Sequence, residues 1–285
     1  MALRGRGSQR QRFAALATSI TVATAGLVAV PVGAIADDGH VSVAEIQASL
    51  TNTERVNDAL IAEATPSRTT TTAAAVAEVG GGTTVSVPID PAEGISLTQP
   101  NGSILRVELP NAQRADDAAR LPGGGVAYTA DGDSANTVIP TSRGVQMLTT
   151  VAGGGAPTRY GYEVSLGEGQ RLELLDEGGA LVVNTDGSAA AAVSAPWAKD
   201  ANGRDVPTHY ELAGNALVQV IDHASVSDVA YPVVADPIWL APWVVRCLIG
   251  IGLNGAAIAR IASTGSPGAI LAAGGFAALR CVLGR

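Results

Sequence analysis

The sequence predicts a mainly β fold, sandwich-like and rich in hairpins. A short N-terminal helical segment precedes it and a C-terminal α-helical hairpin follows it. Three observations carry this prediction. Between residues 83 and 237, Asn-Gly and Asp-Gly turn signals recur at short spacing among alternating apolar and polar runs. Between residues 41 and 63, apolar residues recur every three or four positions. From residue 238 to the end, the chain is apolar, rich in Gly and Ala, and free of Asp and Glu.

Residues 1–36 have the three parts of a secretory signal peptide in order. Arg4, Arg6, Arg10 and Arg12 form a basic start, Phe13 to Val30 an uncharged apolar run, and Ala34-Ile35-Ala36 an A-x-A cleavage site before Asp37. Export into an oxidising compartment is the expectation. Residues 37–82 then divide into a helical segment and a linker. Val43, Ile46 and Leu50 mark one helical face, followed by Val56, Leu60 and Ile61. Asn52 or Thr53 is placed to cap a second helix. Thr65 to Thr84, with its Thr, Ala and Gly runs, reads as a flexible spacer, because such composition builds no core.

Residues 83–237 form the β domain. Ile95 and Leu97, the Asn101-Gly102 turn and Ile104 to Leu109 make one hairpin. Tyr160, Tyr162, Val164 and Leu166 alternate with polar or small residues as a half-buried strand, and Leu172 and Leu174 repeat the pattern. Leu181 and Val183, Asp186-Gly187 and Ala189 to Val193 make a second hairpin. Tyr210 and Leu212, Gly214-Asn215 and Leu217 to Ile221 make a third. Pro110 to Gly125 is a loop with a short helix at Ala112 to Arg120; one β domain or two subdomains are both compatible with it.

Residues 238–285 are the cationic apolar hairpin. Trp239 to Ile261 reads as one helix and Ala269 to Leu283 as another, joined by Thr264-Gly265-Ser266-Pro267-Gly268. Cys247 and Cys281 stand equally far from Thr264, so folding back at this turn brings them level. A disulfide there closes a loop of about 35 residues, worth roughly 4 kcal/mol in chain entropy. Each helix falls short of the ~20 apolar residues a membrane span needs. Packing on the β domain, lying in a membrane interface and anchoring in a membrane all stay open. For the interfacial placement, Trp239, Trp243, Arg246, Arg260 and Arg280 are the expected contacts with an anionic surface.

Charge narrows the function. The chain carries 18 Lys+Arg against 26 Asp+Glu, which argues against a nucleic-acid partner. The split is uneven: residues 37–237 hold all 26 acids and the tail holds none. No cofactor motif is present, and neither a G-x-S-x-G elbow nor an H-E-x-x-H helix occurs. Asp131 to Asn136 resembles the start of a calcium loop but lacks the closing Glu. His209 and His223 near Asp205 and Asp222 are the remaining acid–base candidates, and adjacent strand residues such as Asp222 and His223 face opposite ways.

Pro196 onward reads PWAKDANGRDVPTHYELAGNALVQVIDH, and Tyr231 to Trp239 reads YPVVADPIW. This stretch resembles uncharacterised secreted β-rich proteins of high-GC Gram-positive bacteria, in which a YPVVADP-type boundary precedes a variable C-terminal piece. The resemblance covers about a third of the chain and implies a modular protein without assigning chemistry. The expectation is a secreted, non-enzymatic protein. In one form a β carrier presents a membrane-active, bacteriocin-like hairpin. In the other, a cell-surface β-sandwich binding module keeps the hairpin as a structural or tethering element, its ligand unknown.

Overall fold

The computed structural model describes residues 40–176, 178–263 and 267–283. The expected signal peptide and the Thr264-Gly265-Ser266 turn lie outside the described residues. The described residues form one compact unit.

Helix α1 (Val43–Val56) begins in a capping box: the Glu45 amide donates to Ser42 Oγ at 3.3 Å, and the Ser42 amide donates to Glu45 Oε2 at 2.9 Å. Ile46, Ser49, Leu50 and Thr53 make its buried face. The second helix expected at Asn52 or Thr53 does not form. Both residues lie inside α1, where Thr53 Oγ1 donates back to Ser49 O and Asn52 Nδ2 to Ala201 O.

The expected spacer is part of the sheet. Strands β1 (Ser67–Arg68) and β2 (Ala73–Val79) fill it, and β3 (Thr83–Pro88) follows. Ala73, Ala75, Ala77 and Val79 are buried. An alanine-rich strand has little area of its own to bury. It holds its place through the ladder with β3 and by letting the facing strands come close. Strands β4 (Ile95–Thr98) and β5 (Ile104–Glu108) form the first expected hairpin.

Pro110 to Gly125 holds a 3-10 turn at Ala112–Arg114 rather than a longer helix, and then β6 (Ala119–Arg120). It carries the chain from one sheet to the other and does not separate subdomains, since one core spans both sheets. Strands β7 (Val126–Tyr128), β8 (Ser134–Thr141) and β9 (Gly144–Val151) start the second sheet. Strand β10 (Arg159–Ser165) returns to the first. Strands β11 (Arg171–Leu174), β12 (Ala180–Val183) and β13 (Ala189–Val193) rejoin the second, and β12 and β13 are the second expected hairpin. After the short β14 (Ala198–Lys199), strands β15 (Thr208–Ala213) and β16 (Ala216–Ile221) form the third. Strands β17 (Val233–Ala235) and β18 (Ile238–Leu240) end the β region. Helices α2 (Pro242–Gly250), α3 (Gly255–Ser263) and α4 (Pro267–Leu283) follow.

All the paired strands run antiparallel in two sheets. The first has the order β1-β2-β3-β4-β5-β10-β16-β15. The second has the order β11-β12-β13-β18-β9-β8-β7-β6, with β17 also paired to β9 and to β14. Their facing side chains make one core: Val85, Ile95 and Leu97 from the first meet Tyr128, Val138 and Met147 from the second. Tyr128 also donates its hydroxyl to Pro88 O at 2.6 Å, a polar link between the sheets. Helix α1 covers the outer face of the second sheet, with Ile46 and Leu50 packed among Leu121, Ala127, Ile139 and Leu148. Covered on both sides, β9 is buried along its full length.

The expected helix from Trp239 to Ile261 is three pieces. Ile238-Trp239-Leu240 is a strand, and Pro242 opens α2 at a first-turn position that needs no amide proton. Gly252, at φ +89°, ends that helix, and Asn254 Oδ1 accepts from the Ala257 amide to start α3.

Candidate functional site: the disulfide-closed tail and its grooves

The tail is built onto the β core from the inside outward. Residues 233–240 lie along β9: Val233 to Ala235 pair with Thr149 to Val151, and Ile238 to Leu240 with Gly144 to Gln146. Between them, Pro237 has no amide to donate, but its carbonyl accepts from the Met147 amide at 2.9 Å. Strand β18 therefore sits between β9 and β13 inside the sheet. Beyond it, Val244, Val245 and Leu248 of α2, Ile258 and Ile261 of α3, and Ile270, Ala278 and Val282 of α4 join the same apolar cluster as the sheets.

The expected disulfide joins Cys247 and Cys281, tying α2 to α4 at a Cα separation of 5.5 Å. The other five tail residues singled out from sequence have different fates. Trp239 lies wholly buried in β18 and is corrected from a surface contact to a core residue. Its strand is central, so its indole faces protein on every side. Trp243 is half-buried over the Gly80–Gly82 turn, where a Cβ on Gly80 or Gly81 would run into the indole. That explains the glycine run inside the misread spacer. Arg246 is exposed and donates to Gln99 Oε1. Arg260 and Arg280 are also exposed.

Sequence reasoning missed the apolar side chains that the tail turns outward. Phe276 is 75% exposed, and Ile249 and Ile251 are 37% and 40% exposed. Phe276 follows Gly275, whose φ of +69° breaks the helical path of α4 and turns the next residue out. A groove of about 600 Å³ runs between Trp243, Cys247 and Ile251 on one side and Phe276, Ala277 and Arg280 on the other. A second groove, of about 510 Å³, lies along Arg246, Ile249 and Gly250 and reaches the tips of two hairpins at Gln99, Asn101, Asn184 and Ser188. Among the described residues, no Asp or Glu side chain lines either groove.

Both hairpin tips use one device. Gly102 and Gly187 take φ of +83° and +82° and donate to Gln99 O and Asn184 O, each at 2.9 Å. Asn101 and Asp186 keep negative φ, and their side chains accept from the Ser103 and Ser188 amides. These are three-residue loops closed by a left-handed glycine rather than two-residue Asn-Gly turns.

The acid–base candidates are not brought together. His209 is exposed on β15, 3.4 Å from Glu211, which is itself paired to Arg159 at 2.6 Å. His223 is buried, with Nδ1 2.9 Å from the Tyr231 hydroxyl and Nε2 3.0 Å from Pro157 O, an anchor for the loop before β17. Asp131 lies 3.8 Å from His40 and its side chain is exposed. No cluster of three or more His, Cys, Asp or Glu able to hold a metal occurs among the described residues.

One buried acid was missed. Asp236 is fully buried, with Oδ1 accepting from the Trp197 amide at 3.0 Å and Oδ2 without a hydrogen-bond partner in the structure. Burial pushes its carboxyl up to about 8, against partial relief from hydrogen bonds with Trp197 and Ser194. The nearby Tyr162 and Tyr210 phenols are pushed up by burial and, further, by Asp236. An acid before proline reads in sequence as a turn, so nothing in its local pattern flagged it.

Compared with known proteins, the chain matches no family model, no curated protein and no solved structure.

Proposed function

We propose that this is a secreted, non-enzymatic binding module, in which the disulfide-closed tail is a permanent structural part of a β-sandwich. One observation carries the reading: β18, the first element of the tail, is an interior strand with Trp239 fully buried in it. Removing it would leave β9 and β13 with open edges and strip Val244, Leu248 and Ile261 from the core. Binding then falls to exposed surface, and the two grooves beside α2 are concave surfaces that the tail helps to build.

Truncation tests this reading. A chain ending at Pro237 is expected to aggregate or to lose cooperative unfolding. A soluble, cooperatively folding truncation would mean that the tail is a separate module.

A second reading, a tail that acts on membranes after release, is favoured by the charge split, with no Asp or Glu between residues 238 and 285. Intact mass of the exported protein, with and without reductant, separates the two. A 285-derived chain that begins near Asp37 and stays whole supports the module. A small C-terminal species, lighter by two hydrogens when unreduced, supports release.

A further inference from the structure

We propose that the outward face of the tail, centred on Phe276, docks the folded module on an anionic lipid bilayer. This rests on the reading above, in which the tail stays attached, and it names the partner of the groove between α2 and α4.

Three features of that face point to lipid. The first is shape. Phe276 is 75% exposed beyond the break at Gly275, and Ile251, 40% exposed, lines the same groove. An aromatic ring that projects from a surface needs a partner that yields around it, and the interfacial zone of a bilayer does so without a preformed pocket. The second is charge. Outside the first 36 residues, every Asp and Glu of the chain lies before residue 238, whereas the tail carries Arg246, Arg260, Arg280 and Arg285. Arg280 lines one groove and Arg246 the other, and among the described residues no Asp or Glu side chain lines either. Arg246 bonds to the neutral amide of Gln99, so that bond leaves its charge uncancelled. On a body that an anionic surface otherwise repels, this face is the one it attracts.

The third feature is depth. No helix among the described residues is long and apolar enough to cross a membrane. The inner faces of α2, α3 and α4 are already committed to the protein core. Only the exposed ring and its neighbours are free to enter lipid, so the contact is shallow and reversible. Each arginine near an anionic surface contributes about 1 kcal/mol, or about fivefold in partitioning, and salt screens that contribution.

The test is co-sedimentation of the oxidised chain from Asp37 with vesicles of phosphatidylglycerol and, separately, of phosphatidylcholine. Binding to phosphatidylglycerol alone, falling as sodium chloride is raised, is expected. Phe276→Ser should weaken it several-fold and Arg246→Gln about fivefold, both without changing the unfolding midpoint because both side chains are exposed. Equal binding to the two lipids, no binding to either, or unchanged binding by Phe276→Ser would overturn the proposal. So would a dimer in size-exclusion chromatography that Phe276→Ser dissociates, which would give the face to a second copy of the chain. A folded truncation at Pro237 would sink the module reading and leave the vesicle result to be judged by itself.

Discussion

Asp236 sets a pH dependence that runs against the usual one for carboxylates. Its folded-state value, about 8, lies above the ordinary range for an unfolded aspartate. The folded state therefore favours the protonated acid. Its contribution is fully present below about pH 4 and is lost progressively as pH rises through about 8. Asp200 works in the opposite direction. Burial opposes its ionisation, but amide bonds from Asn202 and Arg204 and a 2.8 Å bond from Arg204 Nε hold its carboxyl below the usual value. Its stabilisation is present at neutral pH and fades as acid is added. The two are separable by substitution. Asp236→Asn should flatten the fall in stability between about pH 4 and pH 8, by a few kcal/mol at the alkaline end. Asp200→Asn should lose about 1–3 kcal/mol at pH 7 and almost nothing at the lowest pH at which the protein stays folded. Urea unfolding across the pH range reads both; parallel curves for wild type and Asp236→Asn would mean that the Asp236 carboxyl is ionised in the fold. At Trp239 the expected effect comes from volume. Trp239→Ala should cost about 3–5 kcal/mol. Trp239→Phe should cost much less, because the indole Nε1 has no hydrogen-bond partner to lose.

Among the elements, the pair α2 and α4 is held twice, by the Cys247–Cys281 bond and by Val244, Leu248, Ala278 and Val282 in the core. Replacing both cysteines by serine should lower stability by at most about 4 kcal/mol and leave the circular dichroism of the folded protein unchanged. Loss of the helical signal in the double variant would show that packing alone cannot keep the tail in place. The elements also differ in how far the sequence disclosed them. The three hairpins were legible because Asn101-Gly102, Asp186-Gly187 and Gly214-Asn215 are turns set by local backbone preference, and the disulfide because its two cysteines flank one breaker cluster symmetrically. Strand β2 was hidden, since Ala73 to Ala77 carry no alternation and are strand only by virtue of the ladders on both sides. The division of α2 from α3 was written in Gly252 and Asn254, a helix stop followed by a helix start, but the surrounding apolar run outweighed it. Of the candidate site, the cysteines and arginines were visible as residue types. The outward turn of Phe276 was not, because it depends on one backbone angle at Gly275.

In the whole molecule, the two sheets and the tail share one core, so they should open together. Hydrogen exchange should find β18 as slow as β8 and β9, with α1 and the segment after it faster, because α1 covers the outer face through a smaller cluster. Exchange in β18 that is fast relative to β9 would mean that the tail opens independently. The place of β18 also bears on when the protein becomes foldable. Strand β9, made about halfway along the chain, waits for a partner that arrives only at residues 238–240. Until the last fifth of the polypeptide is available, the second sheet has a gap where its central strand belongs. Contacts so distant in sequence make for slow closure. A nascent chain is thereby kept from locking into its final form before residues 238–240 have arrived. Late completion of the sheet is in this sense a built-in delay, which holds the chain pliable until its central strand is in place.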